Sequence, residues 1–125
     1  MDKKYAVTAL IYALLGLSLG IYMASSKNHS QHVTHAHIML VGFVVTFIYA
    51  TIYKLWLANV RSKLFWPQFV SHQLGALGIV VGLYCLYGGI IAEPKIGPVL
   101  GVASILVLAA MVMQTVLFIQ HANKQ

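Results

Sequence analysis

Four apolar stretches, residues 5–24, 35–57, 66–92 and 97–120, fill most of this chain. Each meets or exceeds the roughly 20 residues that an α-helix needs to cross the hydrocarbon of a bilayer. Backbone polar groups find no water there, so segments of this length must satisfy their own hydrogen bonds, and helices do that internally. The composition agrees: 60% of residues are hydrophobic and 8% charged, against about 25% charged in ordinary soluble domains. The expectation is an all-α, four-helix transmembrane bundle forming one domain over residues 1–125. Its formal net charge of +6 then bears on topology, not on nucleic-acid binding.

The first run follows Lys3 and Lys4 and carries Gly16-x-x-x-Gly20, a small-residue groove suited to close helix contact. A signal peptide is the rival interpretation, but the run is longer than a typical h-region, which favours a first spanning helix. Ser25 to Thr34 is polar, holds His29 and His32, and reads as a loop. The second helix is expected from His35, the third from Trp66-Pro67 with Gly75, Gly78 and Gly82 along one side, and Glu93-Pro94-Lys95 as a tight turn before the fourth. His121 to Gln125 reads as a polar tail. Lys3, Lys4, Lys54, Arg61, Lys63 and Lys124 fall on one face of the membrane, Lys27 and Lys95 on the other. By the positive-inside rule both termini are cytoplasmic, in a bacterial inner membrane. Tyr5, Tyr22, Tyr53, Trp56, Trp66 and Tyr87 lie towards helix ends and are expected to anchor at the interfaces.

The chemistry-bearing stretch is His32-Val33-Thr34-His35-Ala36-His37, at the outer start of the second helix. Two residues advance an α-helix by about 200°, so His35 and His37 point to opposed flanks at nearly one height and cannot chelate one ion together. Imidazole ligates haem iron, copper and zinc. Gly42, seven residues beyond His35, leaves room for a macrocycle on that flank and Thr46 continues the face, while Val41, Val44 and Ile48 wall the other. The one cysteine, Cys85, permits neither an intrachain disulfide nor a Cys-x-x-Cys-His haem attachment, so any haem is held without thioether bonds. The only acids, Asp2 and Glu93, sit at boundaries, which denies the chain a carboxylate relay within its helices.

Thr34-His35-Ala36-His37-Ile38-Met39-Leu40-Val41-Gly42 resembles the His-x-His helix of the haem-copper oxidase subunit I superfamily, which includes nitric-oxide reductases. The whole chain, with Ser71-His72-Gln73-Leu74-Gly75 in its third helix, is similar to small four-helix relatives of that subunit. In that superfamily one histidine of the pair ligates the high-spin haem and the other the low-spin haem, and twelve helices form three arcs of four. The resemblance implies that His35 and His37 are axial ligands of haem b. A homo-oligomer, a trimer imitating the three arcs, would supply one imidazole from each of two copies. The family's three-histidine copper site and its histidine-linked tyrosine have no counterpart here, so oxygen reduction and proton pumping are not implied.

Each feature also has a plainer interpretation. His35 and His37 could bond headgroups and loop carbonyls, and His29 and His32 suit a solvated loop or the binding of copper or zinc alongside His35; His32, His35 and His37 are the candidate metal ligands. His72, flanked by Ser71 and Gln73, belongs to a quinone or second-haem site or makes a hydrogen bond to a neighbouring helix. Met111 and Met113 suit packing. The expectation is a haem b protein acting in electron transfer or redox sensing beside respiratory-chain subunits. The alternatives are a transporter, channel or capture protein for metal ions or haem, and a non-catalytic accessory subunit of a respiratory complex.

Overall fold

A computed structural model describes residues 1–122; Lys124, assigned above to the cytoplasmic face, lies outside the described residues. Four helices follow one another: α1 (Asp2–Ser26), α2 (His32–Leu55), α3 (Phe65–Tyr87) and α4 (Glu93–His121). All four are long and apolar enough to span a membrane, and no strand occurs among the described residues. The chain runs up and down. Asp2 and Lys3 line one groove with Lys54 and Leu55, Lys4 sits over the ring of Trp66, and Trp56 packs edge-on against Phe118. The start of α1, the end of α2, the start of α3 and the end of α4 therefore share one end of the bundle, called here the basic end. The histidine cluster is at the other.

Four boundaries differ from the sequence expectation. α2 begins at His32, so that histidine stands on the first helical turn and not in the loop. α3 ends at Tyr87, where Gly88 and Gly89 take over and Gly89 turns the chain with φ of 70°. Glu93-Pro94-Lys95 is the first turn of α4, with Ala92 extended before it; proline suits a first turn because its missing N–H would be unpaired there, and a glutamate complements the helix dipole. His121 is the last residue of α4 and not part of a tail.

The glycines set the helix contacts. A side chain on Gly75 would meet the Ala103 carbonyl and the Val107 nitrogen at 2.8 Å, and one on Gly78 would meet Ala103 at 2.9 Å, so α3 lies almost backbone to backbone on α4. On α1, Gly16 receives Ile38 and Met39 of α2, and Gly20 receives His35. This leads to a paired prediction. Gly75→Ala forces two main chains apart and is expected to cost about 2 kcal/mol. Gly101→Ala, with nothing within 4 Å, is expected to be neutral or to gain up to about 1 kcal/mol. Denaturant titration in mixed micelles reads both.

Inside α2 the helix changes type. Ile38–Val45 is an eight-residue π-helical segment between two α-helical ones, rare in itself and frequent at functional sites. Thr46 Oγ1 donates to the carbonyl of Val41, five residues back. In an unbroken α-helix the eleven residues from His35 to Thr46 would make about three full turns and return Thr46 to the His35 side. The wider turns send it instead to α3, where it meets His72. The expectation that Thr46 continues the His35 face is corrected on this ground.

Candidate functional site

His35 and His37 are both half-buried, within the first two turns of α2. The ring of His35 lies over Gly20 of α1, and its Nδ1 is 2.8 Å from the Gly16 carbonyl oxygen. His37 turns back on its own helix, with Nδ1 2.9 Å from the Val33 carbonyl oxygen. A carbonyl oxygen only accepts, so in each ring Nδ1 carries the hydrogen and donates it. That fixes the tautomer: Nε2 bears the lone pair in both histidines. Neither Nε2 makes a hydrogen bond to the described residues. A backbone carbonyl holding one imidazole nitrogen while the other stays free is the usual support for metal-ligating histidine.

The turn itself is anchored by a residue that sequence reasoning passed over. Gln31, buried just before α2, donates through Nε2 to the Tyr84 carbonyl at 3.0 Å and accepts through Oε1 from Thr34 Oγ1 at 2.6 Å. It ties the start of α2 to the end of α3, and so fixes the height of the two imidazoles. A glutamine inside a stretch of Ser, Asn and His gave no signal that it was buried.

Gly42 does not provide the space expected of it. A Cβ there would come within 2.7 Å of the Tyr12 ring, so α1 already fills the hollow beside it. A large planar group therefore has no room beside Gly42 within one chain. His32 is exposed on the first turn, and among the described residues no three His, Cys, Asp or Glu side chains gather into a metal-binding group. His32, His35 and His37 therefore do not converge as a three-ligand copper or zinc site within one chain.

The chain matches no family model, no curated protein and no solved structure. The resemblance over Thr34 to Gly42 is one of motif alone.

His72 belongs to a different place. It is fully enclosed, and its Nε2 lies 2.7 Å from Thr46 Oγ1. With the Thr46 hydroxyl hydrogen on the Val41 carbonyl, Nε2–H of His72 donates to Oγ1 and leaves Nδ1 a buried acceptor without a partner among the described residues. Its flanking residues also cross between helices: Ser71 Oγ donates to the Leu106 carbonyl of α4, and Gln73 Nε2 to Thr8 Oγ1 of α1. Ser71, His72 and Gln73 thus fasten α3 to α4, α2 and α1 in turn. Eleven residues of helix, most of them π-helical, separate His35 from Thr46, so His72 shares no site with the His35–His37 pair.

Around His72 lies a polar centre that the sequence did not reveal. Tyr49 packs edge-on against its ring at 4.9 Å, and Tyr5 stands at 6.0 Å. Gln68, with no exposed surface, accepts from the hydroxyls of Tyr5 and Tyr53 and donates to the Ala110 carbonyl. Tyr5 and Tyr53, expected to anchor at an interface, are instead core residues; each hydroxyl needs an acceptor when buried, and Gln68 supplies it. Tyr22, Trp56, Trp66 and Tyr87 do stand exposed.

Proposed function

We propose that this protein is a membrane haem b protein in which His35 and His37 are axial ligands, acting in electron transfer or haem-dependent redox sensing. One observation carries the proposal: both imidazoles are locked by backbone carbonyls with Nε2 left free, at one height on one helix. A haem held by these two imidazoles would supply one-electron chemistry. The chain's part is to fix ring orientation through the carbonyls of Gly16 and Val33, and to raise the basicity of the ligating nitrogens by those same bonds.

Because the space beside Gly42 is filled within one chain, a haem would have to be held between copies, by the His37 imidazole of one and the His35 imidazole of the next; a trimer follows from the three-arc resemblance. Single imidazoles on opposed flanks favour axially held iron over copper. Lys3, Lys4, Lys54, Arg61 and Lys63 at the basic end support cytoplasmic termini in a bacterial inner membrane. An absorption spectrum of the detergent-purified protein, oxidised and reduced, tests the proposal. Sharp low-spin bands that shift on reduction are expected, and their absence after expression with ample haem overturns it.

A further inference from the structure

The basic end of the bundle carries more positive charge than its own side chains neutralise. Lys3, Lys4, Lys54, Arg61 and Lys63 all stand exposed there, while the only acidic side chains in the sequence are Asp2 and Glu93. Asp2 faces the Met1 amine at 3.9 Å, and Glu93 opens α4 at the opposite end. Lys4 is drawn over the Trp66 ring. Lys3 and Lys54 form no ion pair among the described residues, and these two ammoniums, from different helices, border one groove of about 360 Å³ between α1 and α2. Its lining changes with depth. Lys3 and Lys54 stand at the mouth beside Asp2, and Ala6, Ala50 and Phe47 follow one to two helical turns further in. Thr51, the remaining polar side chain of the lining, donates its hydroxyl hydrogen to the Phe47 carbonyl. A soluble anion would use the ammoniums and leave the apolar depth unfilled; a molecule with an anionic head and a hydrocarbon tail matches both in that order.

We propose that this groove binds an anionic phospholipid, with its phosphodiester between Lys3 and Lys54 and the start of one acyl chain along Ala6, Ala50 and Phe47. Both lysines have stems long enough to raise their ammoniums to the height of the head groups while the methylenes stay on apolar surface. Each lysine near an anionic membrane surface strengthens binding several-fold. A zwitterionic lipid carries its own cation beside its phosphate and gains less from the pair. The neighbouring groove between α1 and α3 shares Lys3, but its second lysine is Lys4, already engaged with Trp66. The α1–α2 groove is therefore the one that offers two cations to an outside anion.

A tryptophan placed in the groove wall reads its occupancy. The chain's two tryptophans, Trp56 and Trp66, are exposed and are replaced by phenylalanine, and Phe47→Trp exchanges one ring for another at an exposed wall position. The full-length protein is reconstituted into phosphatidylcholine vesicles holding rising fractions of dibrominated phosphatidylglycerol, whose bromines quench a tryptophan they touch. Quenching is expected to exceed the anionic lipid's share of the bilayer, with a binding constant about fivefold or more above that of phosphatidylcholine. Lys3→Gln/Lys54→Gln is expected to bring the ratio to about one. Lys3→Arg/Lys54→Arg should keep it, which separates loss of charge from loss of fold. Lys63→Gln removes a charge from the same end without touching the groove lining and should leave the ratio unchanged. A ratio near one before any lysine is changed, a ratio lost in the arginine variant as well, or a fall with Lys63→Gln as large as with the paired glutamines overturns the site. Full competition by inorganic phosphate at matched ionic strength also overturns it, because the groove would then recognise a free anion. The ratio should be the same in a His35→Ala/His37→Ala background, so the lipid and haem proposals fail separately.

Discussion

Replacing either His35 or His37 with alanine is expected to turn a low-spin haem spectrum into a high-spin one, and replacing both is expected to remove haem from the purified protein. Each site in the proposed assembly draws one imidazole from each of two copies, so a single substitution takes one axial ligand from every haem and leaves the other. Losing a mere supporting residue around a metal ligand already costs tenfold to a hundredfold in affinity, so the double variant should carry less than about a tenth of the parental haem. The reduced-minus-oxidised difference spectrum, scaled to protein, is the measurement. Two controls sharpen it. His72→Ala should keep the spectrum while losing stability, because His72 is enclosed against Thr46 and Tyr49. His32→Ala should change neither, because His32 stands exposed. If the double variant keeps its bands, or His32→Ala loses them, the axial assignment is wrong.

The part of this site that was legible in the sequence is the part fixed by short spacing. Two histidines two residues apart on a helix must face different ways, and they do: His35 reaches α1 while His37 bonds back to Val33. Likewise the glycines of α1 and α3 announced close helix contacts, because a missing side chain has few other uses inside a spanning helix. What was not legible depends on partners far apart in the chain. Gln68, Gln114 and Gln31 look alike as letters, yet the first is satisfied by two tyrosines, the second has no partner among the described residues and the third holds a helix start. Tyr5 and Tyr53 lie at helix ends, where an interfacial belt is the default expectation, and only the position of Gln68 on a third helix draws them inward. The π-helical segment was the most consequential surprise. Nothing in Ile-Met-Leu-Val-Gly-Phe-Val-Val breaks an α-helix, and the wider turns are tied to demands from outside it: His35 held by Gly16, Gly42 filled by Tyr12, and Thr46 drawn to His72. Face assignments beyond one or two turns therefore failed at Thr46, although Gly42 still faces α1.

The largest loss of stability is expected from Gln68→Leu. Leucine is close to glutamine in volume, so packing changes little and the effect isolates hydrogen bonding. Gln68 Oε1 accepts from Tyr5 on α1 and Tyr53 on α2, and Nε2 donates to Ala110 on α4 at 3.4 Å. Removing the amide leaves two buried hydroxyls without a partner, while the Ala110 carbonyl keeps the N–H of its own helix. An orphaned buried group costs about 1–3 kcal/mol, whereas hydrogen bonds between membrane helices average about 0.6 kcal/mol, since the unfolded chain in the membrane finds partners too. With two hydroxyls stranded, a net cost of about 2–4 kcal/mol is expected, read as a lowered midpoint in denaturant titration. Tyr5→Phe alone should cost under about 1 kcal/mol, because Gln68 keeps Tyr53 and the carbonyl keeps its donor. The decisive comparison is Tyr5→Phe/Tyr53→Phe/Gln68→Leu: with donors and acceptor all gone, the triple variant should be more stable than Gln68→Leu alone, a reversal that an additive loss of packing would not produce. The haem spectrum should be unchanged throughout, since Gln68 lies beyond His72 from the outer histidines. A triple variant weaker than Gln68→Leu would mean that ring packing among Tyr5, Tyr49 and Tyr53, at centroid distances of 5.4 and 5.5 Å from Tyr5, holds this end of the bundle together and the hydrogen bonds do not.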